Sequence, residues 1–238
     1  ASGTQTYSEA VTLLRDVTLV ASDVTFVSSV DSNAGNVYSL TLGNNSVLTN
    51  VNFTGNVGQT IGIKVLSVKG NLENANKITT TGNISVSGDV LANGVISSGG
   101  VISVGGVALL NADVTSDGIQ TYSGAVTLLG DVTLVASEVT FASTVNSQAG
   151  RNYSLTIGND LVTTNVIFTG TVGQTTALNV LSVKGNLQNA NKITSTGDIS
   201  VGGDVLANGV ISSGGAISVT GMASLNADVT ASGTQTYS

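Results

Sequence analysis

Two lysines and an aspartate recur in this chain at a fixed distance. Lys69, Lys77 and Asp89 return as Lys184, Lys192 and Asp204. On one face they would form a polar stripe able to contact a glycan or an ion. The plainer expectation is solvated surface charge, duplicated with the segment that carries it. Glu9, Asp16 and Asp23 lie at seven-residue spacing. Cleavage of glycosidic bonds needs carboxylates clustered across a substrate. Here the spacing predicts successive corners pointing apart, and Glu9 becomes Gly124 at its second occurrence. Gly202-Gly203-Asp204 and Ser87-Gly88-Asp89 are the nearest fragments to a calcium-binding nonapeptide, but that pattern is not repeated rung after rung.

Other chemistry is equally thin. Thr4-Gln5-Thr6 and Thr79-Thr80-Thr81 resemble ice-binding Thr arrays only locally, and strand propensity accounts for the remaining Thr. Asn44-Asn45-Ser46, Asn52-Phe53-Thr54 and Asn83-Ile84-Ser85 fit a glycosylation sequon, a match that arises by chance in so Asn- and Thr-rich a chain. Tyr7 and Tyr122 stand 115 residues apart. An exposed aromatic row would bind sugar rings, whereas packing at a rung corner is the expected role. There is no His and no Cys, which removes the commonest general base, the commonest metal ligand and any disulfide. No phosphate-cradling loop occurs. The expectation is no catalytic residue, no cofactor-binding residue, no metal ligand and no enzyme.

The composition explains what replaces chemistry. Of 238 residues, 9% are charged and 30 are Gly, while 41% are hydrophobic. The apolar content excludes a disordered chain. Val, Ile and Thr favour strands; Gly, Asn and Ser favour turns. There is no Pro, which suits a backbone tied up in ladders. A net charge of −7 disfavours nucleic acid. No run of 18 apolar residues exists to span a bilayer as a helix.

The dominant signal is a repeat. Gln5-Thr6-Tyr7-Ser8 returns at Gln120 and at Gln235, and the two full copies agree without gaps at about 85 of 115 positions. This divides the chain into residues 1–115, 116–230 and the start of a third copy at 231–238. Fixed-period repetition marks units that bury apolar surface against their neighbours. Ala1 to Ser8 and Ala231 to Ser238 read identically, so an interior segment of a longer repeat is expected. Within each copy, triplets such as Val11-Thr12-Leu13, Val17-Thr18-Leu19 and Val24-Thr25-Phe26 start six or seven residues apart. Alternation puts Val and Leu on one face and Thr on the other. That interval is too tight for a sandwich of hairpins. A three-sided coil of parallel strands fits, with rungs of about 19 residues, although five rungs of 23 would also divide the repeat. The expected fold is all-β, a right-handed parallel β-helix of about 10–12 rungs, its hand set by crossover chirality. Asn and Gly are expected at corners in left-handed conformations.

The string Gln120-Thr121-Tyr122-Ser123-Gly124-Ala125-Val126-Thr127-Leu128, with Asp131-Val132-Thr133-Leu134 and Val139-Thr140-Phe141 after it, resembles repeats of filamentous-haemagglutinin-type adhesins. The resemblance covers the first third of each copy. It implies a β-helix in a bacterial extracellular filament or surface adhesin. The expected partners are further copies of the same repeat, covalent or end to end, with glycans or cell surfaces as a second class. A glycan-binding module is the alternative function, and a carbohydrate-active enzyme a third.

Overall fold

The computed structural model describes residues 3–238, so the first two residues of the octapeptide that returns at Ala231 lie outside the described residues. The protein is all-β, a coil of short parallel strands, mostly of three residues, with no helix among the described residues. It resolves into two compact units, Ala1–Gly118 and Ile119–Ser238. In each, strands from successive turns hydrogen-bond in parallel to form three faces, so the chain is a β-solenoid. Every pairing between strands within a unit is parallel and in register.

The inward pattern follows from alternation. In Ile84–Val86, Ile84 and Val86 are buried and Ser85 is exposed, and Ile102–Val104 stacks directly on it with Ile on Ile and Val on Val. Burying each such side chain is worth about 1.5–3 kcal/mol. Inward positions therefore form apolar columns that run from turn to turn. Each unit has one column that carries rings: Tyr7, Phe26 and Phe53 stack at 5.0 Å centroid spacing in the first, and Tyr122, Phe141 and Phe168 at 5.3 and 5.0 Å in the second. The tyrosines thus belong to the core column and not to a rung corner. Tyr122 is buried, and its hydroxyl donates to Gln120 Oε1 at 3.0 Å.

In the regular part of each unit the turn is 18 residues, six per side: Leu66, Ile84 and Ile102 stack in sequence on one face, and Leu187, Val205 and Ala223 on another. Early in each copy the turns widen, to 27 residues between Val24 and Val51. The extra residues form three excursions, at 33–39, 43–49 and 54–65, and again at 148–154, 158–164 and 169–180, the third of each set rejoining the ladder at Val57 and Val172 through isolated bridges. The rungs expected near 19 residues are thus 18 in the regular part and up to 27 early in each copy.

The repeat and the turn are out of step. In the second unit each of the three faces has six rungs, 18 sides in all, with Val172 filling one place through isolated bridges. Gln120–Tyr122 begins the first of these faces, pairing with Glu138–Phe141. Gln235–Tyr237, the same residues one repeat later, lies on the third face, paired with Ile217–Val219. The last of the 18 sides belongs to the third copy, so one repeat holds 17 sides, five and two-thirds turns. Neither five nor six whole rungs fit.

Glycine at the regular corners is not there for a left-handed backbone. Positive φ is confined, among the described residues, to Gly35, Gly43, Gly58, Gly150, Gly158 and Gly173, all in the excursions. At a corner such as Gly94, an added Cβ would stand 2.3 Å from the Asn76 carbonyl oxygen of the turn before. The corner needs absence of a side chain, not freedom of φ.

Candidate functional site

Each unit has a shallow groove in the same place. The first, of about 470 Å³, runs across a face and its corner, with Asp23, Asn50, Asn71 and Asp89 along the corner and Thr25, Asn52, Glu73 and Leu91 on the floor. The second, of about 370 Å³, has Glu138, Asn165, Asn186 and Asp204 at the equivalent corner, with Ile167, Gln188 and Leu206 on the floor. The floor changes character between copies: Asn52 becomes Ile167 and Glu73 becomes Gln188. The corner row keeps its chemistry.

The reason is hydrogen bonding along the coil. Where the chain bends, a backbone N–H leaves the ladder and needs another acceptor. Asn71 Oδ1 accepts from the Asp89 N–H at 2.8 Å, and Asp89 Oδ1 accepts from the Val107 N–H at 2.7 Å. In the second unit Asn186 Oδ1 takes the Asp204 N–H at 2.7 Å and Asp204 Oδ1 the Met222 N–H at 2.8 Å. A second corner repeats the device through Asn83 to Val101 and Asp198 to Ala216. The residue that lies over each of these caps on the next turn is glycine, because a side chain there would collide with the cap: a Cβ on Gly88 would lie 2.3 Å from Asn71 Oδ1, and one on Gly106 2.3 Å from Asp89 Oδ1. Asp131 and Asp16 cap Ser154 and Ser39 where the turns are wider.

The acids and bases read in the sequence are therefore dispersed. Asp89 and Asp204 are corner caps. Lys77 and Lys192 are exposed, and Lys69 half-buried. Lys184 pairs with Asp160 at 3.2 Å, an exposed contact of the sort that contributes little. Lys69 has Asn45 at the position equivalent to Asp160. Glu9 and Asp16 stand at two successive corners, and Asp23 opens the next side as the first residue of Asp23–Phe26. Of Thr79-Thr80-Thr81, Thr80 points inward and donates to the Gly82 carbonyl at 2.6 Å. Of the sequon residues, Asn44 closes a loop through its own Oδ1, Asn83 is a cap, and Asn52 lies on the groove floor. No group of three acidic side chains is placed to hold a metal ion among the described residues.

Sequence reasoning missed the caps. Their signal is a Gly-Asx pair recurring near 18-residue intervals: Gly70-Asn71, Gly88-Asp89, then Gly185-Asn186 and Gly203-Asp204. It missed also the inward Asn74 and Asn189, whose amide groups each donate to two backbone carbonyls. The floor of the groove offers amide, hydroxyl and carboxylate groups in the first unit and more aliphatic surface in the second, a composition able to hydrogen-bond hydroxyls.

Compared with family models, with curated proteins and with solved structures, the chain finds no match in any of the three.

Proposed function

We propose that the chain is a structural β-solenoid segment of a bacterial extracellular filament or giant surface adhesin of the filamentous-haemagglutinin kind, acting mechanically and without catalysis. Its partners are further copies of the same repeat, covalent or stacked end to end. The observation that carries this reading is which residues persist between copies. From 65 to 100 the copies differ at 4 of 36 positions, and every inward aliphatic and every corner glycine of the stretch persists, alongside outward residues such as Lys69 and Lys77. Parallel ladders and continuous apolar columns give stiffness along the axis, and repeat units of this kind gain stability from each neighbour added.

One observation favours a second reading, a glycan-binding module: the groove recurs in both units beside a polar corner. The drift of its floor, from Glu73 to Gln188, counts against a single ligand.

Electron microscopy of the native material tests the proposal. A continuous rod with an axial spacing of about 4.8 Å is expected. Discrete compact particles lacking that spacing would discard the filament reading, and glycan-array binding by such particles would put the second in its place.

A further inference from the structure

Between residues 31 and 64 the copies differ at 14 of 34 positions, far more densely than in the regular turns. Six of these differences sort into two complementary surfaces. In the first unit Gly35, Asn36, Val37, Ile61 and Lys64 line a shallow hollow of about 550 Å³. It is preformed: Asp31 Oδ1 accepts the N–H groups of Thr60 and Ile61 at 2.9 and 3.3 Å, and Asn36 N–H donates to the Asn33 carbonyl at 3.2 Å. In the second unit the equivalents of Asn36, Val37, Ile61 and Lys64 are Arg151, Asn152, Thr176 and Asn179. Asn152 donates its amide to the Ala177 carbonyl at 2.7 Å, spanning the place the hollow would occupy.

The second unit carries the converse feature. Leu161, where the first unit has Ser46, is 94% exposed, more than any other large apolar side chain described. Its loop is closed by hydrogen bonds: Asn159 Oδ1 accepts the N–H groups of Leu161 and Val162 at 2.9 and 2.7 Å, Asn159 N–H donates to the Val162 carbonyl at 2.9 Å, and Gly158 holds φ at +87°. Asp160, where the first unit has Asn45, flanks it with a carboxylate that shares one oxygen with Lys184. The hollow is flanked by the ammonium of Lys64.

We propose that Leu161 of one chain seats in the Val37–Ile61 hollow of a second copy, with Asp160 beside Lys64. The occupant is a second copy because this chain carries both halves in different units, the hollow with Lys64 in the first and Leu161 with Asp160 in the second; the first unit's equivalent loop exposes Leu48 instead, with Asn45 in place of the carboxylate. The contact is heterologous, so every chain engaged through its hollow still offers a knob, and contacts of this kind propagate instead of closing. A single leucine makes a weak contact, and many aligned contacts would add through multivalency. It joins coils side by side, and is distinct from stacking along the axis.

Sedimentation equilibrium of the full chain over a range of concentration tests this, with substitutions taken from the opposite copy. Wild type is expected to gain mass with concentration. Leu161→Ser and the double variant Val37→Asn/Ile61→Thr should each lower the association constant by at least about tenfold. Mixed in equal amounts, the two variants should form a pair that stops at two chains, since one keeps the hollow and the other the knob. Circular dichroism checks that each keeps its strands. A wild type that stays a single chain throughout overturns the proposal. So do variants that associate as wild type does, which would assign association to the coil ends and leave the filament reading standing.

Discussion

At the scale of single residues, the chain is governed by what one turn allows the next. Asn83 Oδ1 caps the Val101 N–H at 2.9 Å, and a Cβ on Gly100 would stand 2.2 Å from that same oxygen. Gly100→Ala should therefore destabilise by about 1–3 kcal/mol, the range for overpacking a close contact. Asn83→Ala alone should cost about 1 kcal/mol, one hydrogen bond. Together they should cost less than their sum, because removing the amide clears the space. Urea unfolding of the four chains gives the coupling, and strict additivity would refute the clash. Tyr122 supplies a pH dependence. Burial raises its phenol pKa above the ordinary 10.0. The folded chain keeps the proton while the unfolded chain releases it above about pH 10, so this stability is full below that pH and is lost as pH rises further. Tyr122→Phe, which also loses the bond to Gln120, should start less stable at neutral pH and then fall less steeply between pH 10 and 12. Equal slopes for the two proteins would contradict it.

At the scale of elements, the unit of construction is the turn. In the regular part, residues 18 apart occupy equivalent places on one face, as Ile84 and Ile102 do. Excising residues 84–101 joins Asn83 to Ile102 and removes one rung from each face. The shortened chain should keep its strand spectrum and unfold at only a slightly lower denaturant midpoint, since each turn contacts only its neighbours. Excising the seven residues 84–90 cuts into the strand Val90–Ala92, sets outward Leu91 in the inward place of Ile84, and should lose cooperative unfolding, because a one-residue shift turns inward residues outward. Circular dichroism against denaturant checks both, and equal stability of the two deletions would sink the 18-residue turn as the building unit. Much of this was legible in the sequence. The apolar-Thr-apolar triplets gave the strands, and their six- or seven-residue interval gave three short sides. The turn length was not, because the wide turns at Val24 to Val51 raise the average above 18 and blur it. The glycines at 70, 88 and 106 carried the true interval, hidden among 30 glycines in all. Asp89 and Asp204 looked like surface charge because the partner of each is a backbone N–H on the next turn, which has no sequence mark.

At the scale of the whole molecule, the out-of-step repeat has a meaning for descent. A tandem copy arises when a stretch of chain is doubled, and the doubled stretch survives only if its new neighbour can be packed. Were the three faces specialised, only lengths equal to whole turns would survive. Here Gln235-Thr236-Tyr237 lies on a different face from Gln120-Thr121-Tyr122, and both pair in register with what lies beneath them. The faces are interchangeable as sockets, since each asks only for an inward, outward, inward triplet. Any whole number of sides is then an admissible length for doubling. A coil of this sort can lengthen by increments of one-third of a turn, three times as many permitted lengths as a coil with distinct faces.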